Sequence, residues 1–249
     1  MRRLGPIAVA IFFAVNAGAE CKGTPAINEL FVDGVSHGLW RGIDLGGRIF
    51  IEPRLEVGLC GHEVSKRGLQ GADLTVEGWV PISNGGTGLA SLRARYLWYM
   101  KNDNDQETFV AAGLRETHWD SGPRAWTSEA SVEFQTKLHL QSQGINSYFP
   151  FVEVARDLNR FKATYARAGI HHKLVAVSVP VELETTGFIS ASDYSDHFGW
   201  HSAEVAAWLY YRSPDSSKRV GVGGGYDRVS SGIGRSRAWL GLRVNLFHS

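Results

Sequence analysis

Charged residues recur at alternate positions along this 249-residue chain. Ile49–Leu59 carries Glu52, Arg54 and Glu56 two apart, and Glu129–Leu140 carries Glu129, Glu133 and Lys137 on the same parity. Arg93, Arg95, Arg115, Glu153, Arg167, Glu182, Glu184, Glu204 and Arg243 fit the same spacing, as do Asp73 and Glu77. A guanidinium offers five donors in a rigid fork, and a carboxylate accepts two of them side by side. Such residues gathered on one face can pair into a closed network. They can also replace part of the hydration shell of a polar solute.

Other chemistry is weaker. His118-Trp119-Asp120-Ser121-Gly122 resembles the His/Ser signature of barrel phospholipases and lipid A deacylases, where the two residues share a strand face. Here His118 and Ser121 are three apart, so a continuing strand turns them to opposite faces, and Gly122-Pro123 reads as a loop. We expect no catalytic residue there. His171-His172 and His197/His201 suggest a metal, but adjacent strand residues point apart and i,i+4 residues lie about 13 Å apart. Neither pair can chelate alone, and exposed or rim histidines are expected. Gly221-Val222-Gly223-Gly224-Gly225 is followed by no Lys-Ser/Thr and no helix, so it is not a phosphate loop. Glycines there permit bending or close packing. No cofactor and no metal is implied.

The elements that must carry these charges are strands. Ile49, Ile51, Pro53, Leu55, Val57 and Leu59 share one face of their segment. Ala130, Val132, Phe134, Leu138 and Leu140 share one face of the next example. In Arg237–Leu246, Ala238, Leu240, Leu242, Val244 and Leu246 alternate with Arg237, Arg243 and Asn245. Period two is the mark of a strand with one apolar side. About twelve such segments follow: 28–40, 49–59, 71–80, 89–100, 107–117, 126–140, 148–157, 161–170, 173–184, 198–211, 218–227 and 235–247. Gly187–His197 reads as the longest polar connection, while Pro53 and Pro180 fall inside segments and demand bulges or strand ends.

Twenty-six basic and 25 acidic residues give a net charge of +1, which implies no nucleic-acid partner. Met1–Ala19 has the form of a secretory signal: Arg2 and Arg3, an apolar Ile7–Val15, then Ala17-Gly18-Ala19. Cleavage there leaves 24 basic residues against 25 acids, and residues 20–249 form one domain. Export exposes Cys21 and Cys60 to an oxidising compartment, where they can pair or stay as two thiols.

A soluble sandwich and a transmembrane barrel both place one face inward. Segments of ten residues or more suit a tilted membrane strand. Trp40, Trp79, Trp98, Tyr99, Trp119, Trp126, Tyr148, Phe149, Trp200, Tyr210, Tyr211 and Phe247 fall near segment ends, as interfacial aromatic girdles do. Arg outnumbers Lys on the polar faces, which suits pairing inside a lumen. The fold expected is therefore an all-β, transmembrane, antiparallel up-and-down β-barrel of about twelve strands. An even count returns both termini to the periplasmic side, which puts Cys21 and Cys60 at one rim.

Val35–Leu45 (VSHGLWRGIDL), followed by the segment with Pro53, and Pro150–Asp157 (PFVEVARD), followed by Tyr165, resemble a family of uncharacterised outer-membrane barrels of Gram-negative bacteria. The resemblance spans most of residues 20–249 and implies an outer-membrane location with no known chemistry. The expected role is a narrow porin-like channel or binding barrel for small polar solutes. Its lining would be Arg54, Glu56, Arg93, Arg95, Arg115, Glu133, Lys137, Glu153, Arg167 and Glu182. A plugged structural or assembly barrel and a lipid hydrolase are the alternatives. Outer-membrane lipid and a small polar solute are the expected partners. Oligomeric state is left open.

Overall fold

The computed structural model describes residues 25–41, 43–46, 49–59, 69–82, 85–101, 107–120, 126–142, 144–176, 178–193, 198–213, 218–230 and 236–248. Met1–Ala19, Cys21, Cys60, Ser121 and His197 lie outside them. Among the described residues every regular element is a strand. In chain order they are β1 (Ala26–Val35), β2 (Leu39–Trp40), β3 (Ile43–Asp44), β4 (Phe50–Gly58), β5 (Leu69–Pro81), β6 (Leu89–Lys101) and β7 (Glu107–Trp119). Then come β8 (Trp126–Ser142), β9 (Gly144–Asp157), β10 (Thr164–Val175), β11 (Val181–Ser192), β12 (Gly199–Arg212), β13 (Arg219–Val229) and β14 (Arg237–His248).

Twelve of these strands pair antiparallel with their sequence neighbours and close into a barrel through β1 and β14. The short β2–β3 hairpin stands apart from the wall. The expected count is met, and most boundaries agree within a few residues. The exceptions are the first segment, expected over 28–40 but ending as strand at Val35, and those after Asp157. Its carboxylate accepts the backbone N–H groups of Asn159, Phe161 and Lys162, which builds a turn where a strand was expected from 161. β10 then runs unbroken through His171 and His172. Pro180 ends the next turn rather than interrupting a strand. Gly187–Ser192 is strand as well, because small Ser190 and Ser192 turn inward between outward Ile189 and Ala191, so the connection shrinks to 193–198.

Two prolines remain inside strands. Pairing of β4 with β5 runs through Ile51↔Val80 and resumes at Arg54↔Glu77, omitting Glu52 and Pro53. Pairing of β8 with β9 omits Pro150 in the same way, resuming at Leu138↔Tyr148 after Gln135↔Phe151. Each ladder gives up contact where proline has no N–H, and keeps full register on the other side.

The apolar face of every strand points outward. Val76, Val132, Phe134, Val152, Ile170, Ile189, Val205, Leu240 and Leu242 are all exposed. Such a surface greatly exceeds the few hundred Å² of contiguous apolar patch a water-soluble monomer carries, and it is the face a lipid bilayer covers. Strands of 9 to 17 residues reach across the hydrocarbon layer when tilted. The barrel is therefore a transmembrane one. The aromatic residues divide differently from expectation. Trp98, Trp126, Trp200, Tyr211 and Phe247 face outward, whereas Trp79, Trp119 and Tyr210 face inward.

Inside, Trp208 and Tyr210 of β12 lie over a floor without side chains. Their register partners are Gly223 and Gly221. A Cβ at Gly223 would stand 2.4 Å from the Trp208 ring and 2.8 Å from the Ala207 carbonyl oxygen. The glycine run thus serves close packing within the wall. Gly223→Val should block folding, read as loss of the heat-dependent gel mobility of a folded barrel. Gly34→Ala, where a Cβ meets nothing within 4 Å, should fold normally.

Candidate functional site

The lumen holds a cavity of about 560 Å³, the size of a small-molecule site. Arg54, Arg93, Arg95, Arg115, Glu133 and Arg167 line it. Glu56, Glu153 and Glu182 also face inward but are committed to ion pairs behind the cavity surface. Glu56 pairs with Arg54 and Arg95, Glu153 with Arg167, and Glu182 with Lys173 and Arg219. Lys137 sits apart at the mouth near the termini, on Glu107 at 3.2 Å.

Arginine forks organise the wall. Arg95 donates to both oxygens of Asp73 and to Glu133. Arg243 grips Asp33 across the β1–β14 seam, its guanidinium 4.2 Å from the centre of the Phe31 ring and 4.5 Å from that of Trp208. Arg219 joins Glu182 and Glu184 and lies over Tyr210. Asp33, Arg219 and Asp227 were not singled out in the sequence. Strand parity alone would have found them, since all three share the inward face of their segments.

The connection between β1 and β4 supplies what parity could not. It folds into the lumen instead of away from it. Leu45, 2% exposed, packs in an apolar cluster with Val35, Phe50, Leu89, Trp119, Trp208 and Tyr210. Thr87 N–H donates to the Leu45 carbonyl, and Gly46 bridges to Gly86, so the strap is tied to the β5–β6 connection. At its tip Arg41 adopts φ 51°, a left-handed conformation that costs a non-glycine residue roughly 1–2 kcal/mol. The return is a guanidinium lodged against Glu129 at 2.5 Å and Glu153 at 2.8 Å, over the Tyr165 ring. Glu153 belongs to β9, six places from β1 in the ring of twelve, so the strap crosses the lumen.

His201 completes the anchorage. Pairing between β11 and β12 slips from Ser190↔Ser202 to Ala191↔Trp200, leaving His201 as the extra residue of a bulge. The bulge turns it inward beside Ser202, and it is fully buried. Its Nε2–H must donate to the Arg41 carbonyl, which can only accept. In the neutral ring Nδ1 then accepts from the Ser192 hydroxyl at 2.7 Å. His171 likewise lines the cavity and contacts Thr186, while His172 faces outward against Asn146 and Tyr148. The expectation of rim histidines therefore fails for His171 and His201. For His201 the cause is the bulge, which reverses parity. His118 is exposed on the outer face with its ring against Trp126. No group of three potential metal ligands occurs among the described residues.

Like charges stand directly opposite each other at several places on neighbouring strands, among them Glu133↔Glu153, Arg93↔Arg115 and Glu204↔Asp227. The first is neutralised by Arg95 on Glu133 and by Arg41 and Arg167 on Glu153. The other two stand half a ring apart, β6–β7 facing β12–β13 across the cavity they both line.

No protein-family model matches the chain, and no curated protein matches it. Solved barrels do. The transport unit of the autotransporter AIDA-I from Escherichia coli is 10% identical, with TM-score 0.46, over 95% of this chain and 97% of that one. The β domain of the Bordetella autotransporter BrkA is 12% identical, with TM-score 0.46, over 87% and 98%. The porin KdgM, solved with disordered oligogalacturonate, is 9% identical, with TM-score 0.45, over 87% and 96%. The lumen of this chain is read from its own side chains.

Arg41→Ala should leave Glu129 and Glu153 short of a buried partner, costing about 3–5 kcal/mol. The temperature at which the gel mobility shift is lost should fall accordingly. Lys137→Met, which breaks an exposed pair, should cost no more than about 1 kcal/mol and leave that temperature nearly unchanged.

Proposed function

We propose that the protein is an outer-membrane barrel that passes or holds small polar solutes in a charged lumen narrowed by the Arg41 strap. On this reading Met1–Ala19 is a cleaved export signal, and both termini lie on the periplasmic side. The strap then guards the outer mouth. The observation that carries the proposal is the cavity of about 560 Å³ walled by fork-paired charges and crossed by the inward β1–β4 connection. Charges of both signs that face such a space can substitute for water around a polar solute. An apolar solute would have to strip them of their partners.

The density of buried ion pairs around Arg41 favours a second reading, a plugged structural barrel whose lumen stays closed. A lipid hydrolase draws less support. Ser192 and His201 make the contact of an activated hydroxyl, yet they are 2% and 0% exposed, and His118 lies on the outer face against the Trp126 ring. A serine-directed covalent probe should not label the protein.

Planar-bilayer recording separates the first two readings. The wild-type barrel should give small, stepped conductance. Arg41→Ala should raise it several-fold by releasing the strap tip from β9. Insertion without conductance by both proteins would overturn the channel in favour of the plug.

A further inference from the structure

Among the like-charge pairs of the wall, Glu133 and Glu153 each have arginine partners, whereas in Arg93↔Arg115 Arg115 alone has an acid within ion-pair distance among the described residues. Three carboxylates near it, Glu56, Asp73 and Glu133, converge on Arg95. Glu77 is held by Arg115 at 3.5 Å and by the Ser91 hydroxyl. Arg93 is left with no hydrogen-bonding or ion-pair partner among the described residues, although it is only 8% exposed and lines the cavity. Its Nε–H has no acceptor. Neither do the Nε–H groups of Arg115 and Arg54, nor does the hydroxyl of Thr75 have a partner.

These orphans are adjacent. Thr75 is the register partner of Arg93 on β5, and Arg115 is its partner on β7. Side chains opposite each other in an antiparallel ladder have Cβ atoms about 5 Å apart, so one small group in the cavity can bridge the two arginines that line it. Like charges in that position destabilise a sheet, and buried donors left unpaired cost more. A tetrahedral or planar oxyanion offset from the wall answers both deficits, since the guanidinium fork matches its geometry.

We infer that Arg93 and Arg115 form an oxyanion subsite in the lumen, which takes the carboxylate or phosphate group of the solute. This rests on the lumen being reached by solutes, as proposed above. The site faces the acidic Glu204–Asp227 pair across the cavity, so a bound anion keeps to the β5–β7 wall.

Equilibrium dialysis of the full barrel in detergent against radiolabelled inorganic phosphate tests it, at low ionic strength. Saturable binding is expected. Acetate should compete if the site takes any oxyanion, and failure of acetate alone would confine it to phosphate-like groups. Methylammonium should not compete. Arg93→Gln should weaken binding by about 10- to 100-fold, the worth of one charge-assisted hydrogen bond or two. Arg156→Gln, on the outer face, should leave it unchanged. Absence of saturable binding, or equal binding by Arg93→Gln, overturns the site. If Arg93→Gln does not fold, Arg115→Gln takes its place, and undiminished phosphate binding there overturns the site equally. Conductance of the same preparations distinguishes the two proposals. A barrel that conducts but binds no phosphate loses the subsite and keeps the channel. One that binds phosphate but never conducts loses the channel and keeps the subsite.

Discussion

A charged side chain inside this barrel has lipid behind its wall, so its energy depends heavily on the counter-charge within reach. Strand alternation forces such residues inward by the same rule that sends valine and leucine outward. Once there they cannot be solvated as on a soluble protein. The lumen is accordingly built of forks: Arg95 on three acids, Arg219 on three, Arg243 across the closing seam. Arginine suits this task because its donors are fixed in a plane, so that one side chain can serve two strands at once.

The strap follows from the same constraint. Glu129 and Glu153 occupy neighbouring strands at the end where β8 and β9 carry no inward base of their own. The positive charge they need comes from a loop on the far side of the ring. Charge pairing thereby sets how far the lumen is narrowed. An aliphatic loop of the same length would have no reason to cross. The inward aromatics contribute by filling the mouth around Leu45, which keeps the loop from swinging on its two ends.

Strand number, facing and most boundaries were legible in the sequence because a period of two is written into Ile49–Leu59, Glu129–Leu140 and Arg237–Leu246. What alternation cannot encode is where a strand breaks its own rule. His201 sits at a position that parity sends to lipid, and a single extra residue in the ladder turns it inward. Arg41 belongs to no strand and carried no periodic signal, although its partners did. Thr164–Val175 was split in two because polar His171 and His172 lie side by side, and an inward and an outward polar residue look like a turn until their separate partners are known. The partition of tryptophans was equally hidden. Proximity to a strand end says nothing of which face a ring takes, so Trp79 and Trp119 passed for girdle residues.

The wiring of the strap has a consequence for the order of assembly. Arg41 leaves the ribosome early, yet its partners arrive much later in the chain: Glu129 is 88 residues on, Glu153 is 112, and His201 is 160. The bond between Asp33 and Arg243 spans 210 residues and closes the ring itself. Loops of that length gain little until nearly every strand is in place, so these contacts form late. Through most of its insertion the barrel is then an open-mouthed sheet with its strap undocked. The lumen acquires its final width in the last steps, when ring closure brings β9 and β12 within reach of a residue made near the beginning.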